Sequence, residues 1–222
     1  MHKVGLITIG QSPRDDIVKS MFDGSISLHL IEHGALDNLS SDEIQDLRPE
    51  ADELPLVSRL RDGREVVIAE ERLIPHLQSA VDRAADDGAT LVVILCTGEF
   101  NQLNSPVPAI YPDRVVSHAV EAVLPDGVLG VILPHEGQMT MMRRKWLSPT
   151  RQFIGTAVSP YTAQRELAEQ ARRLREEQAT MIVMDCMGFD RAMKCVVAEA
   201  SGLPTILANR LVGRIVEELV SA

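Results

Sequence analysis

The chain has 222 residues, of which 45% are hydrophobic, and its formal net charge is −10. This length allows one large core or two small ones, and no apolar run reaches the ~20 residues that cross a membrane. The acidic balance argues against nucleic-acid binding, which needs a concentrated basic face. The first apolar run, residues 4–9, is too short for a signal peptide and has no cleavage site after it. We therefore expect a cytoplasmic protein that binds neither nucleic acid nor a membrane.

The cysteines and glycines exclude several kinds of site. Three cysteines are an odd number for a disulfide framework, and a cytoplasmic setting keeps them reduced. No Cys-x-x-Cys pair or His/Cys cluster has the spacing of a zinc site, and the glycine patterns of phosphate and dinucleotide loops are absent. We expect no metal and no cofactor.

Short apolar runs in the first half predict buried strands, and apolar residues three and four apart predict amphipathic helices. In chain order, we predict a strand at 4–9, a helix through 17–22, a strand at 27–31, a short helix around 44–47, a hairpin of 56–60 and 65–69, a helix at 71–87, a strand at 91–95 and a helix at 115–123. Ser12 is a natural N-cap, and Pro13 suits the first position of the first helix. Asp62 and Gly63 predict the hairpin turn.

The second half continues this alternation of strands and helices. We predict strands at 128–133 and 153–158, a helix at 162–177, a strand at 181–184, a helix at 190–200, a strand at 205–208 and a helix at 211–220. Alternating strands and helices are typical of βα units around a parallel sheet, so the predicted fold class is α/β.

The two halves resemble each other at a constant offset. Segments 91–98 and 181–188 both place a cysteine sixth and a glycine eighth, and the helices that precede them, 71–87 and 161–177, keep the same spacing of 90 positions. Because helix, strand, Cys and Gly share one offset, we interpret the chain as an internal duplication.

The start of each half repeats as well, and this predicts two lobes. Residues 3–8 resemble residues 128–133 at an offset of 125 positions. We expect two pseudo-symmetric lobes with parallel sheets and a cleft between them. Residues 1–113 with 205–222 would form the first lobe, and residues 114–204 the second.

Cys96 and Cys186 are the candidate catalytic residues. Each follows a buried strand, and ligands of open parallel sheets bind beyond the carboxyl ends of the strands. A helix N-terminus next to such a cysteine would lower its pKa and favour the thiolate. Two opposed thiols could remove a proton from one face of a carbon acid and return one to the other face, which inverts a stereocentre. The alternative is that both are small core residues, as lone cysteines usually are.

Other residues have weaker claims to a function. Cys195 has no counterpart in the first half and is expected to be structural, on a packed helix face. His33 is either a site base or a locally hydrogen-bonded histidine, and His135 lacks the partners of a metal site. Arg14 is either a ligand for a substrate carboxylate or a solvated arginine.

Six motifs together resemble the AroM family nearly from end to end. They are Ile7-Thr-Ile-Gly-Gln-Ser-Pro-Arg-Asp-Asp16, Glu32-His-Gly-Ala-Leu-Asp37, Arg59-Leu-Arg-Asp-Gly63, Leu95-Cys-Thr-Gly-Glu-Phe100, Ser159-Pro-Tyr161 and Asp185-Cys-Met-Gly188. AroM proteins in turn look like distant members of the aspartate/glutamate/hydantoin racemase superfamily. That resemblance implies two similar α/β lobes, with one cysteine from each lobe acting as a cofactor-free acid or base. Cys96 and Cys186 match that pair by position.

The flanks of the two cysteines differ from those of the racemases. The racemases have Cys-Asn-Thr and Gly-Cys-Thr-Glu at these places, whereas this chain has Cys96-Thr-Gly-Glu and Asp185-Cys-Met-Gly. The Asn and Thr that hold an amino-acid substrate are missing, which argues against ordinary amino-acid racemisation. The substrate-binding residues expected in the cleft are Thr8, Gln11, Ser12, Arg14, Thr97, Gly98, Glu99, Ser159, Tyr161, Met187 and Gly188.

The sequence therefore predicts a cofactor-independent isomerase or racemase-like enzyme whose partner is a small carboxylate. A decarboxylase or a cis–trans isomerase of a diacid would use the same cysteines differently. The rival from another class is a ligand-binding regulatory protein that kept the cleft and lost the chemistry. A homodimer is left open.

Overall fold

The computed structural model describes residues 2–22, 24 and 28–221. Within them, the strands are β1 (Lys3–Thr8), β2 (His29–Gly34), β3 (Pro55–Arg59), β4 (Glu65–Ala69), β5 (Leu91–Ile94), β6 (Ala109–Ile110), β7 (Gly127–Leu133), β8 (Arg151–Ala157), β9 (Met181–Met184) and β10 (Thr205–Leu207). The helices are α1 (Asp15–Met21), α2 (Ser41–Asp46), α3 (Glu70–Asp86), α4 (Pro112–Val123), α5 (Met139–Trp146), α6 (Leu167–Glu176), α7 (Arg191–Ser201) and α8 (Ala208–Val220).

Two four-stranded parallel sheets organise the molecule and confirm the predicted α/β fold. The first has the order β2-β1-β5-β6, and the second has the equivalent order β8-β7-β9-β10. Strands β3 and β4 form the predicted antiparallel hairpin, in which Leu56 is opposite Ile68. The strand predicted at 27–31 begins at His29 in the structure, and Ser27 lies outside the described residues.

The duplication is visible in matched close contacts. Gly5 in β1 and Gly130 in β7 are 125 positions apart, and a Cβ at either would lie 3.2 Å from the Cβ of an alanine, Ala89 or Ala179. These two alanines are 90 positions apart. Each contact therefore pairs a glycine from the repeat of offset 125 with an alanine from the repeat of offset 90. A larger residue than glycine would push the sheet away from the buried turn that precedes β5 or β9.

The last helix of each half packs on the other half. Helix α8 contacts α1, and the Arg210 guanidinium donates a 2.5 Å hydrogen bond to the Met21 carbonyl. Helix α4 reaches α5 through an ion pair of 2.6 Å between Asp113 and Lys145. Strand β10, which the sequence division assigned to the first lobe with residues 205–222, is hydrogen-bonded to β9 and belongs to the second sheet.

A shared core lies between the two sheets. It contains one face of the central strands of each, represented by Leu6 and Val93 from the first and by Val131 and Val183 from the second. The opposite faces pack into separate cores under the outer helices. No helix in the described part of the chain is long and apolar enough to span a membrane.

Candidate functional site

The two cysteines lie at equivalent points of the two sheets and have the same local geometry. Each is two residues beyond the end of its strand, β5 or β9. The Cys96 sulfur accepts a 3.4 Å hydrogen bond from the Gly98 N–H, and the Cys186 sulfur accepts one of the same length from the Gly188 N–H. The Thr97 hydroxyl donates to the Asp185 carbonyl at 3.2 Å and joins the two cysteine loops directly.

Both thiols are held in the neutral form, contrary to the expectation of lowered pKa values. Burial raises the pKa of Cys186 to about 12, and it raises the pKa of Cys96 further; the glycine N–H groups offset only part of this effect. The physical reason is that neither thiol lies at a helix N-terminus. The next helices begin only at Pro112 and at Arg191.

The exposure of the three cysteines also differs from expectation. Cys186 is 7% exposed and Cys96 is half-buried. Cys195 lies on a helix, as predicted, but it is exposed, so its assignment to a packed face was wrong. The apolar face of α7 that enters the core centres on Val197 instead.

Arg14 is buried, not solvated, and it joins the first lobe to Tyr161 in the second. Its guanidinium makes two bonds to Asp16, of 2.9 and 2.8 Å, and one of 2.9 Å to the Tyr161 hydroxyl. Burial alone would lower the pKa of Arg14, but Asp16 and Tyr161 outweigh it and raise this pKa. The arginine is therefore a permanent buried cation.

Tyr161 lies against the second cysteine loop. A Cβ at position 188 would collide with the Tyr161 hydroxyl, so only glycine allows this approach. The turn before Tyr161 is held by Ser159, whose hydroxyl accepts the Tyr161 N–H and donates to the Glu65 carboxylate in β4. Through these bonds, the β3–β4 hairpin of the first lobe holds in place the turn that carries Tyr161 beside the Cys186 loop.

The loop after β1 is bound to its own lobe. The Ser12 N–H and hydroxyl both donate to Asp37, at 2.7 Å each, and the Gln11 amide donates to the Leu36 carbonyl. Ser12 does not cap the first helix, which begins at Asp15, because Asp37 has captured its hydroxyl. Of this loop, Arg14 is the residue whose side chain bonds across to the second lobe.

The remaining predicted binding residues are distributed around the two loops. Thr97, Gly98 and Met187 are buried, whereas Glu99 is exposed. The Thr8 hydroxyl accepts hydrogen bonds from the Gly10 N–H and from Arg14.

A cavity of about 500 Å³ adjoins the second cysteine loop. It is lined by Tyr161 and Gly188, together with charged side chains that include Lys19, Arg59 and Arg191. Neither cysteine lines this cavity; it reaches the second cysteine loop at Gly188, against which Tyr161 lies.

A buried charge cluster lies beneath the second loop and was not foreseen. The Lys145 ammonium is 2.6 Å from Asp113 and 3.2 Å from Asp185, the residue before Cys186. The Trp146 indole N–H donates to the same Asp185 oxygen at 3.0 Å. Burial alone would lower the pKa of Lys145, but the two carboxylates raise it, so the lysine remains charged.

Asn209 is a second unforeseen support of this loop. Its amide N–H groups donate to the carbonyls of Met187 and Phe189, at 2.9 and 2.5 Å, and its oxygen accepts from Ser20. No sequence signal links Asn209 to a loop about twenty positions away.

In the part of the chain that the structure describes, the histidines contribute no metal site. The His33 ring bonds to Asp87 at 2.8 Å, and His135 accepts the Gly137 N–H. Across residues 2–22, 24 and 28–221, no group of three or more His, Cys, Asp or Glu side chains is placed to hold a metal ion.

Comparisons with known proteins place this site in context. No curated protein sequence matches the chain significantly. Unliganded arylmalonate decarboxylase superimposes with a TM-score of 0.61 at 12% identity, over 100% of this chain and 93% of that one. An aspartate racemase homologue from Pyrococcus horikoshii OT3 gives 0.63 at 13% identity over 100% of both chains. Glutamate racemase from Francisella tularensis, in complex with D-glutamate, gives 0.62 at 10% identity over 99% of this chain and 81% of that one.

These similarities show a shared fold, that of the Asp/Glu racemases. The sequence matches the AroM protein family over residues 4–220, nearly its whole length. The chain belongs to the AroM family.

Proposed function

We propose that this protein is a cofactor-independent, racemase-like isomerase of a small carboxylate, with Cys96 and Cys186 as acid and base. The observation that carries the proposal is the matched pair of cysteine loops. Each sulfur accepts the N–H of the glycine two residues on, and the loops are joined through Thr97 and Asp185. A duplicated site with one proton-transfer group per lobe suits a reaction that handles a proton on each face of one carbon.

The raised thiol pKa values have two opposite effects on carbon-acid chemistry. The proton next to a carboxylate is very weakly acidic, so a thiolate of ordinary or lowered pKa would be a poor base for it. A buried thiolate of raised pKa, on either cysteine, is a stronger base, but very little of it is present near neutral pH, where a general base works best. The neutral thiol opposite it is ready to return a proton.

Backbone donors could stabilise the negative charge that develops on the substrate. Within the described residues, no acceptor is found for the backbone N–H of Thr97 or of Met187, which are 90 positions apart. Preorganised N–H groups in a site without water stabilise an enediolate strongly. Movement of Tyr161, which lines the 500 Å³ cavity and lies against the Cys186 loop at Gly188, would admit a substrate.

The experiment is proton exchange in deuterated water. Small chiral carboxylates are incubated with the protein, and loss of the proton next to the carboxylate is followed by NMR. The proposal expects exchange with inversion in the wild type and loss of inversion in both Cys96→Ala and Cys186→Ala. The exposed Cys195→Ala variant is the matched control and should behave as wild type.

Two outcomes would change the assignment. Exchange without inversion that depends on one cysteine would indicate one-face chemistry of the decarboxylase kind. If a carboxylate binds equally to wild type and to both variants and never exchanges, the protein is a binding protein and the enzymatic proposal fails.

A further inference from the structure

Glu70 lies at the same edge of the first sheet as Cys96. Helix α3 ends beside the start of β1, where the Lys3 ammonium approaches the Asp87 carbonyl, and β5 then runs parallel to β1. The helix therefore runs opposite to the strands. Its first residue, Glu70, is at the carboxyl edge of the sheet, where β5 delivers Cys96.

The Glu70 carboxyl has a buried oxygen without a donor. Its Oε2 is fully buried and has no hydrogen-bond partner among the residues that the structure describes. The charged groups that face it are carboxylates, Glu99 on the Cys96 loop and Glu71 on its own helix. A buried carboxylate oxygen with no donor and two negative neighbours is costly, and a proton on that oxygen removes the cost.

The electrostatics agree with this geometry. Burial, followed by the charges of Glu99 and Glu71, raises the pKa of Glu70 to about 7. The negative charge of Glu70 is also one of the causes that raise the pKa of Cys96. The two groups therefore titrate as a coupled pair.

We propose that Glu70 is a positioning residue for Cys96: its protonated carboxyl donates a hydrogen bond that stabilises the Cys96 thiolate, and its ionised form opposes that thiolate. The inference rests on the proposed function, in which Cys96 must become a base. In the thiolate state the pair carries one negative charge, on sulfur, and one proton, on the carboxyl. In the thiol state Oε2 has no hydrogen-bond partner among the described residues, so the proposed bond to the sulfur forms only when Glu70 turns toward Cys96.

The second lobe has no carboxyl at the place equivalent to Glu70. Glu70 corresponds to Pro160 at the offset of 90 positions, and the Pro160 ring lies against the loop of Cys186 at Gly188. The same place next to the cysteine loop therefore holds a carboxyl in one lobe and an apolar ring in the other. A carboxyl that could donate to a thiolate is therefore present beside Cys96 and not at the equivalent place beside Cys186.

The test is the pH profile of Cys96 alkylation by iodoacetamide, read by mass spectrometry of the Cys96 peptide. In the wild type, the rate should rise about tenfold per pH unit below pH 7. Above pH 7 it should level off, because each gain in thiolate is cancelled by the loss of the Glu70 proton. In Glu70→Gln, which is a permanent neutral donor, the rise should continue without levelling.

Two further variants separate this role from a structural one. Glu70→Ala has no donor and should react at least tenfold more slowly than Glu70→Gln at pH 6, although both lack the charge. Glu71→Gln, at the exposed neighbour, should keep the levelling but move it to a slightly lower pH, because one of the two charges that raise the pKa of Glu70 is removed. Cys195 in the same digest reports any change in the reagent.

A Glu70→Gln profile parallel to that of the wild type would overturn the inference. So would equal rates for Glu70→Gln and Glu70→Ala. Since no substrate is used, this result is independent of the exchange experiment, and either proposal can fail alone.

Discussion

Replacing Lys145 by methionine should destabilise the protein severely. The ammonium lies between Asp113 and Asp185, and the side chains of Lys145 and Asp185 are 4% and 0% exposed. An exposed ion pair would contribute ~0–1 kcal/mol. Removing one partner of a buried pair costs about 3–5 kcal/mol instead, because a charge is left without compensation. For a chain of this size, that corresponds to a fall of roughly 6–20 °C in Tm.

Urea denaturation followed by circular dichroism measures the loss. The control is the neutral triple variant Asp113→Asn, Lys145→Met and Asp185→Asn, in which Asn at 185 still accepts the Trp146 N–H. Because no charge is then buried, the triple variant should recover at least half of the stability lost by Lys145→Met. A single-variant loss below about 1 kcal/mol, or a triple variant less stable than the single one, would refute this reasoning.

Two further predictions concern the cysteine loops. Without ligand, iodoacetamide should label Cys195 first, then Cys96 and last Cys186, in the order of their exposure. Peptide mass spectrometry gives the order of labelling, and labelling of Cys186 before Cys195 would contradict a closed site. Gly188→Ala would place a Cβ 2.8 Å from Tyr161 Cζ and 3.0 Å from Pro160 Cγ, which should displace Tyr161 from Arg14 and lower the free energy of unfolding by about 1–3 kcal/mol. The cost should be smaller in a Tyr161→Phe background, and equal costs in the two backgrounds would show that the Tyr161 hydroxyl is not the obstacle.

The sequence was sufficient for features that depend on local patterns. The hairpin followed from one turn and the strands from short apolar runs, and the duplication followed from a shared offset. The same offset places Cys96 and Cys186 in matched loops, because equivalent residues of a duplicated fold occupy equivalent positions.

Features that depend on tertiary contacts were not predictable. Ser12 looked like a helix cap, but its hydroxyl is bound by Asp37, 25 positions away. The expectation of a low thiol pKa rested on a helix that begins next to each cysteine. Each cysteine is instead followed by a longer loop. The exposure of Cys195 depends on which face of α7 meets the core, and the buried oxygen of Glu70 depends on the loop that carries Glu99.

The role of two thiols on opposite faces is tested most directly by where deuterium first appears. One enantiomer of a carboxylate that exchanges is incubated with wild-type protein in deuterated water, and both enantiomers are analysed at early conversion. Deuterium should appear in the newly formed enantiomer and almost none in the remaining starting material, because one thiol removes the proton and the other supplies a deuteron. Deuterium that enters the starting enantiomer before inversion would mean that a single group works on one face, and it would contradict the account.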